Sequence, residues 1–393
     1  MLSAMKSMLI FGLNFLGKTK GKSHMTVMTR FIVFAALILG LGAPAKALPL
    51  ERIKLPPGFS IELYARIDGA RSMAVVPSLN TVFVGTRGSS VYAVIDANND
   101  RKADGAVKVL SGLKVPNGIV WKDGYLYVAE QHRIVRFRAT DLATLKTAKA
   151  EVMYDNLPDD AWHGWRYTDI GPDGLLYVSV GAPCNICSLN GWEGTIIRLP
   201  ITGGKPEIFA AGVRNSVGFD FQPATGDMYF TDNGADNMGD DSPPDELNHA
   251  PRIGDWYGYP YFGGGRDRTP QFQGRPLPHK PIFPVINFNA HVASLGIRFY
   301  RGSMFPKEYR GDAFVVQRGS WNRSVPDGYR LMRIHFDKTT HKAVRKEIFA
   351  QGWLNPGGDF WGRIVDVNEL GDGSLLVTDN HADAIYRITY KKP

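Results

Sequence analysis

From Arg71 to Tyr390 the chain repeats one pattern: a short apolar stretch, a turn of the Pro, Asp or Gly type, an apolar stretch rich in Tyr and Val, then a polar loop. Six copies occur, at residues 72–86, 117–130, 167–181, 217–232, 295–319 and 364–379. Alternation about a tight turn marks each copy as a β-hairpin. Further strands follow most copies: VYAVID after the first, RIVRFR after the second, TIIRLP after the third, YRLMRIHF after the fifth and AIYRITY after the last. Each unit is therefore a sheet of four strands. Such sheets, repeated at roughly 45 to 80 residues with no helical periodicity between them, predict an all-β fold, a six-bladed β-propeller with four-stranded antiparallel blades. The strand-like piece 59–66 is expected to pair with the last blade and close the ring, which leaves few open edges. The longest insertion, 236–284, carries an acidic loop, and long insertions on a rigid scaffold are where function tends to sit.

Composition changes this picture little. The 43 Gly and 25 Pro of 393 residues fit a turn-rich globular chain. The net charge of +8 is concentrated at the start: residues 1–47 hold six of the 46 cations and no acid, which leaves 40 basic against 38 acidic residues in the remainder. A near-neutral folded part gives no electrostatic case for nucleic acid. Residues 1–47 have the order of a secretory leader: Arg30, the apolar run 31–41, then Ala45-Lys46-Ala47 as a small-x-small site. Cleavage after Ala47 is expected, with a periplasmic or secreted propeller over 48–393. The apolar run is short of the ~20 residues a spanning helix needs, so no stable membrane anchor is expected. The upstream stretch 1–24 carries a second short apolar run at 8–16, and Met25 or Met28 could be the true start. The two cysteines sit as Cys184-Asn185-Ile186-Cys187, and in an exported protein they predict a small disulfide. No GxGxxG, phosphate loop or GxSxG occurs, which removes support from nucleotide-binding and serine-hydrolase readings.

Chemistry gathers just before the inner strands, which in a propeller face the channel. His163 holds this place in the third repeat, and a neutral imidazole there can accept a hydroxyl proton. Arg214 and Asn215 hold it in the fourth, and Arg363 in the sixth, while Gln317 and Arg318 end a strand of the fifth. Cations from three blades would suit a carboxylated ligand. His291, before the fifth repeat, is a further channel candidate. The segment from Asp232 to Glu246 offers carboxylates, an amide and turn carbonyls, the ligand set of a hard cation, though not in the spacing of an EF-hand.

The ordered motifs WHG, GPDGLLYVSVGAPCNIC, GVRNSVGFDF, TDNGADNMGDDSPPDELN, DAFVVQRGSWNRS and GRIVDV resemble the soluble glucose/sorbosone dehydrogenase family, from about Pro57 onward and closest to its sorbosone/aldose branch. The resemblance implies a secreted six-bladed propeller that uses pyrroloquinoline quinone and calcium. By motif, His163 would be the general base, and Arg214 and Asn215 would bind the quinone oxygens, with Arg214 also stabilising developing charge. The carbonyls of Gly234 and Ala235 would hold calcium as a Lewis acid. Arg363 would grip a cofactor carboxylate, and Asp245, Glu246 and Asn248 would hold a second calcium or brace the loop. Two places depart from the family. Where glucose dehydrogenases carry an Asp that orients the base, this chain reads Gly181-Ala182-Pro183, and their cofactor-binding lysine has no clear counterpart, so Arg318 or Arg323 would replace it. The resulting expectation is oxidation of an aldose or related aldehyde, with electrons passed to an external acceptor. A calcium-dependent lactonase-like hydrolase and a non-catalytic binding propeller are the alternatives.

Overall fold

The computed structural model describes residues 47–392, and residues 1–46, with most of the predicted leader, lie outside it. Six blade sheets run in chain order, five of four strands and the third with a short fifth strand added at its edge, beside one separate two-stranded ribbon. The first blade is Ala70–Val76, Thr81–Thr86, Val91–Ile95 and Gly105–Leu110. The second runs from Gly118–Lys122 to Glu151–Tyr154, and the third from Thr168–Ile170 to Glu207–Ala211. The fourth comprises Phe219–Phe221, Met228–Asp232, Pro244–Ala250 and Ile286–Ala290. The fifth begins with Ser294–Phe299 and ends with Ala343–Gln351. In the sixth, Phe59–Arg66 pairs antiparallel with the last strand, Ala384–Tyr390, and closes the ring as expected.

Apolar side chains on the two faces of each sheet meet those of the neighbouring blade. Phe314, Tyr386 and Trp353 form one such layer between blades five and six, and Leu126, Val128 and Phe83 another between blades one and two. Near the axis Val217, Leu295 and Val365 form a small apolar cluster, and three glycines mark where a side chain would not fit. Gly118 begins an inner strand, Gly218 precedes one and Gly296 is the third residue of one, and a Cβ on them would lie 2.4 Å from the Arg166 carbonyl oxygen, 2.3 Å from the Leu295 carbonyl oxygen and 2.4 Å from Asp366. Glycine at this point of the repeat lets adjacent inner strands approach backbone to backbone.

The structure corrects one part of the sequence reading. The segment 236–284 is not a single insertion, because Pro244–Ala250 inside it is the third strand of blade four and Asp255–Trp256 pairs parallel with blade three. The DELN acids are therefore strand residues. Asp232 and Glu246 stand directly opposite each other in the ladder, a like-charge placement that the surrounding packing must tolerate.

Candidate active site

Blade ends position the candidate side chains by a shared device. At the end of the second strand of blade four, the Asp232 carboxylate accepts the N–H groups of Arg214 at 2.8 Å and Asn215 at 2.6 Å. Asp379 does the same in blade six for the N–H of Arg363, at 2.8 Å. The residue before each inner strand is thus fixed by an acid from the next strand, and its side chain is delivered to the channel.

A cavity of about 450 Å³ opens there, lined among others by His163, Arg214, Asn215, Gly234, His291 and Arg318. Such a size suits a small organic ligand. His163 and His291 both hold left-handed backbone, at φ 53° and 61°, a conformation that costs free energy and clusters at functional sites. His163 Nδ1 lies 2.8 Å from the Ala182 carbonyl. A carbonyl can only accept, so Nδ1 carries the proton and Nε2 keeps its lone pair. This answers what replaces the missing Asp: a backbone oxygen, itself anchored by the Ala182 N–H on the Arg214 carbonyl at 2.8 Å. Gly181 leaves the space for it, since a Cβ there would sit 2.5 Å from His163 Cβ. Burial, and then the Arg214 guanidinium, hold the imidazole well below its ordinary pKa, so it is neutral at physiological pH.

The sequence reading missed Arg71 and Arg87, which also line the cavity. Arg71 stands at the start of the first inner strand, the placement already recognised for Arg214 and Arg363, and the same rule finds it. Arg87 lies over the Trp165 indole at 3.8 Å. Among the described residues, Arg71, Arg87, Arg318 and Arg363 form no ion pair with an acid. Burial and then the neighbouring Arg363 push Arg318 down to about 9, and burial with Arg318 and Arg87 lowers Arg71 well below its usual value. Arg71 is buried, Arg318 and Arg363 are half-buried and Arg87 is exposed, and like charges gathered with this little water around Arg71 are costly without a counter-charge. Asn215 Oδ1 is buried there without a donor.

Other candidates fall elsewhere. Arg363 does not line the cavity; its guanidinium donates to the carbonyls of Arg318 and Gly319 and sits over Phe360 and Tyr329. It supports the strand end that carries Arg318. Arg323 is committed to Asp241 and Asp240 on a loop, so of the two proposed replacements for a lysine only Arg318 reaches the cavity. Cys184 and Cys187 are joined.

For a cation, the carbonyl oxygens of Gly234 and Ala235 accept no hydrogen bond among the described residues, and buried carbonyls rarely stay unpaired. They fit a hard cation. The Asp245 oxygens accept the N–H groups of Gly234 and Ser294, and Glu246 accepts from Gly265 and Asn248. Both acids therefore brace the loop. Glu246 faces a small separate cavity behind Arg214, together with Asp232. Among the described residues no three His, Cys, Asp or Glu side chains gather as a metal cage.

Fold and site together define a propeller protein with an axial, arginine-lined pocket and a neutral imidazole in its wall. Residues 123–387 match the family model described as glucose/sorbosone dehydrogenase, and the chain belongs to that family. It is 34% identical over 353 residues to an uncharacterized protein of Borreliella burgdorferi, covering 86% of this chain and 91% of that one. Its fold is shared with the holo form of the pyranose dehydrogenase PQQ domain of Coprinopsis cinerea, at a TM-score of 0.71 and 16% identity over 86% of this chain and 97% of that one. It is shared too with the calcium structure of a carbohydrate-active enzyme from Trichoderma reesei, at a TM-score of 0.73 and 15% identity over 89% and 100%.

Proposed function

We propose that this protein oxidises aldose sugars or related aldehydes of the sorbosone type, with pyrroloquinoline quinone and calcium, and passes the electrons to an external acceptor. The observation that carries the reading is the set of cavity arginines, Arg71, Arg87 and Arg318, without an acidic partner beside an imidazole whose Nε2 is free. A flat polycarboxylate would supply the missing negative charge. When bound, the quinone would be the two-electron sink for hydride and the calcium would polarise its carbonyl.

The chain's own residues do the rest. Arg71, Arg87 and Arg318 would hold cofactor carboxylates, Asn215 and Arg214 would meet its polar edge, and the Gly234 and Ala235 carbonyls would hold the cation. His163 takes the hydroxyl proton of a hemiacetal or hydrated aldehyde at Nε2, and its depressed pKa keeps that nitrogen unprotonated. Trp162 and Trp321 stand 51% and 65% exposed at the cavity's edge, where indole faces suit the C–H face of a sugar ring. The leader expected from the sequence supports action in the periplasm or outside the cell, and no helix of the described residues is long and apolar enough to cross a membrane.

The test is to load the protein with calcium and the quinone and follow dye reduction with a panel of aldoses. Turnover lost on chelation and in His163→Ala supports the reading. Absence of quinone binding, with lactone hydrolysis in its place, would overturn it in favour of a hydrolase.

A further inference from the structure

Asn185 lies between the two cysteines of the four-residue disulfide ring. Its main-chain oxygen accepts from Arg214 Nε at 3.0 Å, and its side-chain oxygen accepts from Arg214 Nη2 at 2.8 Å. The same side-chain oxygen accepts the Asp236 N–H at 2.8 Å, while Nδ2 donates to the Asp236 carbonyl at 2.9 Å. Two donors on one atom and an acceptor on the other fix the orientation of the amide. Asp236 in turn accepts from Arg214 Nη2 at 2.9 Å. The ring itself is held by the buried Tyr259, whose hydroxyl donates to the Asn185 carbonyl at 3.1 Å and accepts from the Cys187 N–H at 3.2 Å.

A guanidinium has five N–H donors. Two of those on Arg214 end on Asn185, one on Asp236 and one, from Nη1, on the Asn233 carbonyl. Among the described residues a single Nη1 hydrogen stays uncommitted, on a side chain that lines the cavity. We propose that Asn185, pinned by the disulfide ring, is a positioning residue: it fixes the Arg214 guanidinium and the Asp236 segment, aims that last donor at the pocket's ligand and keeps the guanidinium charge beside His163. The proposal rests on the function above only where turnover is the readout.

The placement has a readout that a merely structural role would not move. The charged groups acting on His163 are Arg214 and Arg166, both holding its pKa down after burial, with the Ala182 carbonyl acting the other way and no acid among them. Histidine-labelled protein without added cofactor is titrated by NMR, with the His163 signal identified by its loss in His163→Gln. In Asn185→Ala the His163 titration is expected to move up toward the ordinary value of about 6.5, by less than in Arg214→Gln, because the Asn185 main-chain oxygen, Asp236 and Asn233 still touch the guanidinium. The double variant should move it no further than Arg214→Gln alone, because Asn185 acts through Arg214. Additive shifts, or no shift in a folded Asn185→Ala, overturn the proposal. If Asn185→Ala does not fold, Cys184→Ser/Cys187→Ser keeps the amide and opens the ring, and a smaller shift of the same sign is expected; none would refute it. In the loaded enzyme Asn185→Ala should lower kcat by about 10-fold with a smaller change in KM. An NMR shift without any sugar oxidation would count against the functional reading and leave this one standing.

Discussion

Blades five, six and one and blade four carry opposite imbalances of charge. The first group sends Arg318, Arg71 and Arg87 to the cavity and backs them with Arg363, none of them with an acidic partner among the described residues, whereas blade four buries Asp232, Asp245 and Glu246 around one loop. Arg214 lies near these acids, and it is spent on Asp236 and Asn185. Elsewhere the same protein balances its charges closely: Arg298 meets Asp169 and Asp220, and Arg333 meets Asp312. Two uncompensated pools of opposite sign, on facing parts of one ring, are what a bound anion and a bound cation would complete. His163 stands between them, in blade three, and belongs to neither.

The sharpest way to break this division is to remove the group that neither pool explains. His163→Gln should lower kcat by about 10²–10⁴-fold, the usual range for a lost general base, with quinone affinity nearly unchanged; equal losses in affinity and turnover would make His163 part of the anion site. In the wild type the acid limb of kcat/KM is expected below pH 6.5, because burial and Arg214 depress the imidazole.

Gly181→Ala is the next largest effect. The new Cβ would meet His163 Cβ at 2.5 Å and its carbonyl oxygen at 2.8 Å, so the ring must leave the Ala182 carbonyl. A displacement of this kind costs on the order of 10²-fold in rate, and kinetics with a quinone titration would separate it from lost binding.

Arg318→Gln tests the cationic pool. Losing one charge-assisted contact should weaken quinone binding about 10- to 100-fold, yet the unloaded protein should be no less stable, because a repulsive neighbour of Arg363 and Arg87 is gone. The sign of the pH dependence follows from its depressed pKa. Arg318 is held near 9 against an ordinary 12.5, so its destabilising contribution is full below pH 9 and fades as pH rises through that value. The gain in thermal stability of Arg318→Gln over wild type should therefore shrink above pH 9. A variant that melts lower at neutral pH would show that the Arg318 contacts, the 3.4 Å hydrogen bond from Nε to Asn380 Oδ1 included, outweigh the repulsion.

Much of the ring was legible in the sequence, since strand alternation and turn chemistry recur six times, and the closing strand 59–66 could be placed by its pattern. The site was legible where the same repeat position carried a chemical side chain: His163, Arg214 and Asn215 all reach one cavity. Arg71, at the start of the first inner strand, obeys the same rule, whereas Arg87 follows the second strand of its blade, a position the repeat does not mark. Arg363 obeyed the rule and still stays off the cavity wall, because Phe360 and Tyr329 hold its guanidinium against the Arg318 strand end. The orienting partner of His163 could not be read at all, because a backbone carbonyl leaves no letter in a sequence. Blade four misled for a related reason: Pro, Gly and paired acids in 236–246 read as loop, while burial of Leu247 and the ladder to Met228–Asp232 make the DELN segment a strand.

The smallest expected effect probes the acidic pool. Burial, and then Asp232 across the ladder, push Glu246 up to about 8, against 4.5 for an ordinary Glu. A carboxyl raised in this way favours folding least when it must ionise, so its cost grows as pH rises from 4.5 and is complete above about 8. Glu246→Gln keeps an acceptor for the Gly265 N–H. Its new amide N–H can be met by Asn248, whose Oδ1 is buried without a donor and would turn toward it. In calcium-free buffer the variant should match wild type near pH 5 and melt a few degrees higher near pH 8.5. Calcium should then stabilise the wild type at pH 8.5 by more than the variant if the ion feels this carboxylate, and equally if the Gly234 and Ala235 carbonyls hold it without help. Glu246→Gln melting lower than wild type at both pH values would mean that the acid is already compensated, and the contrast between the two charge pools would reduce to the arginines alone.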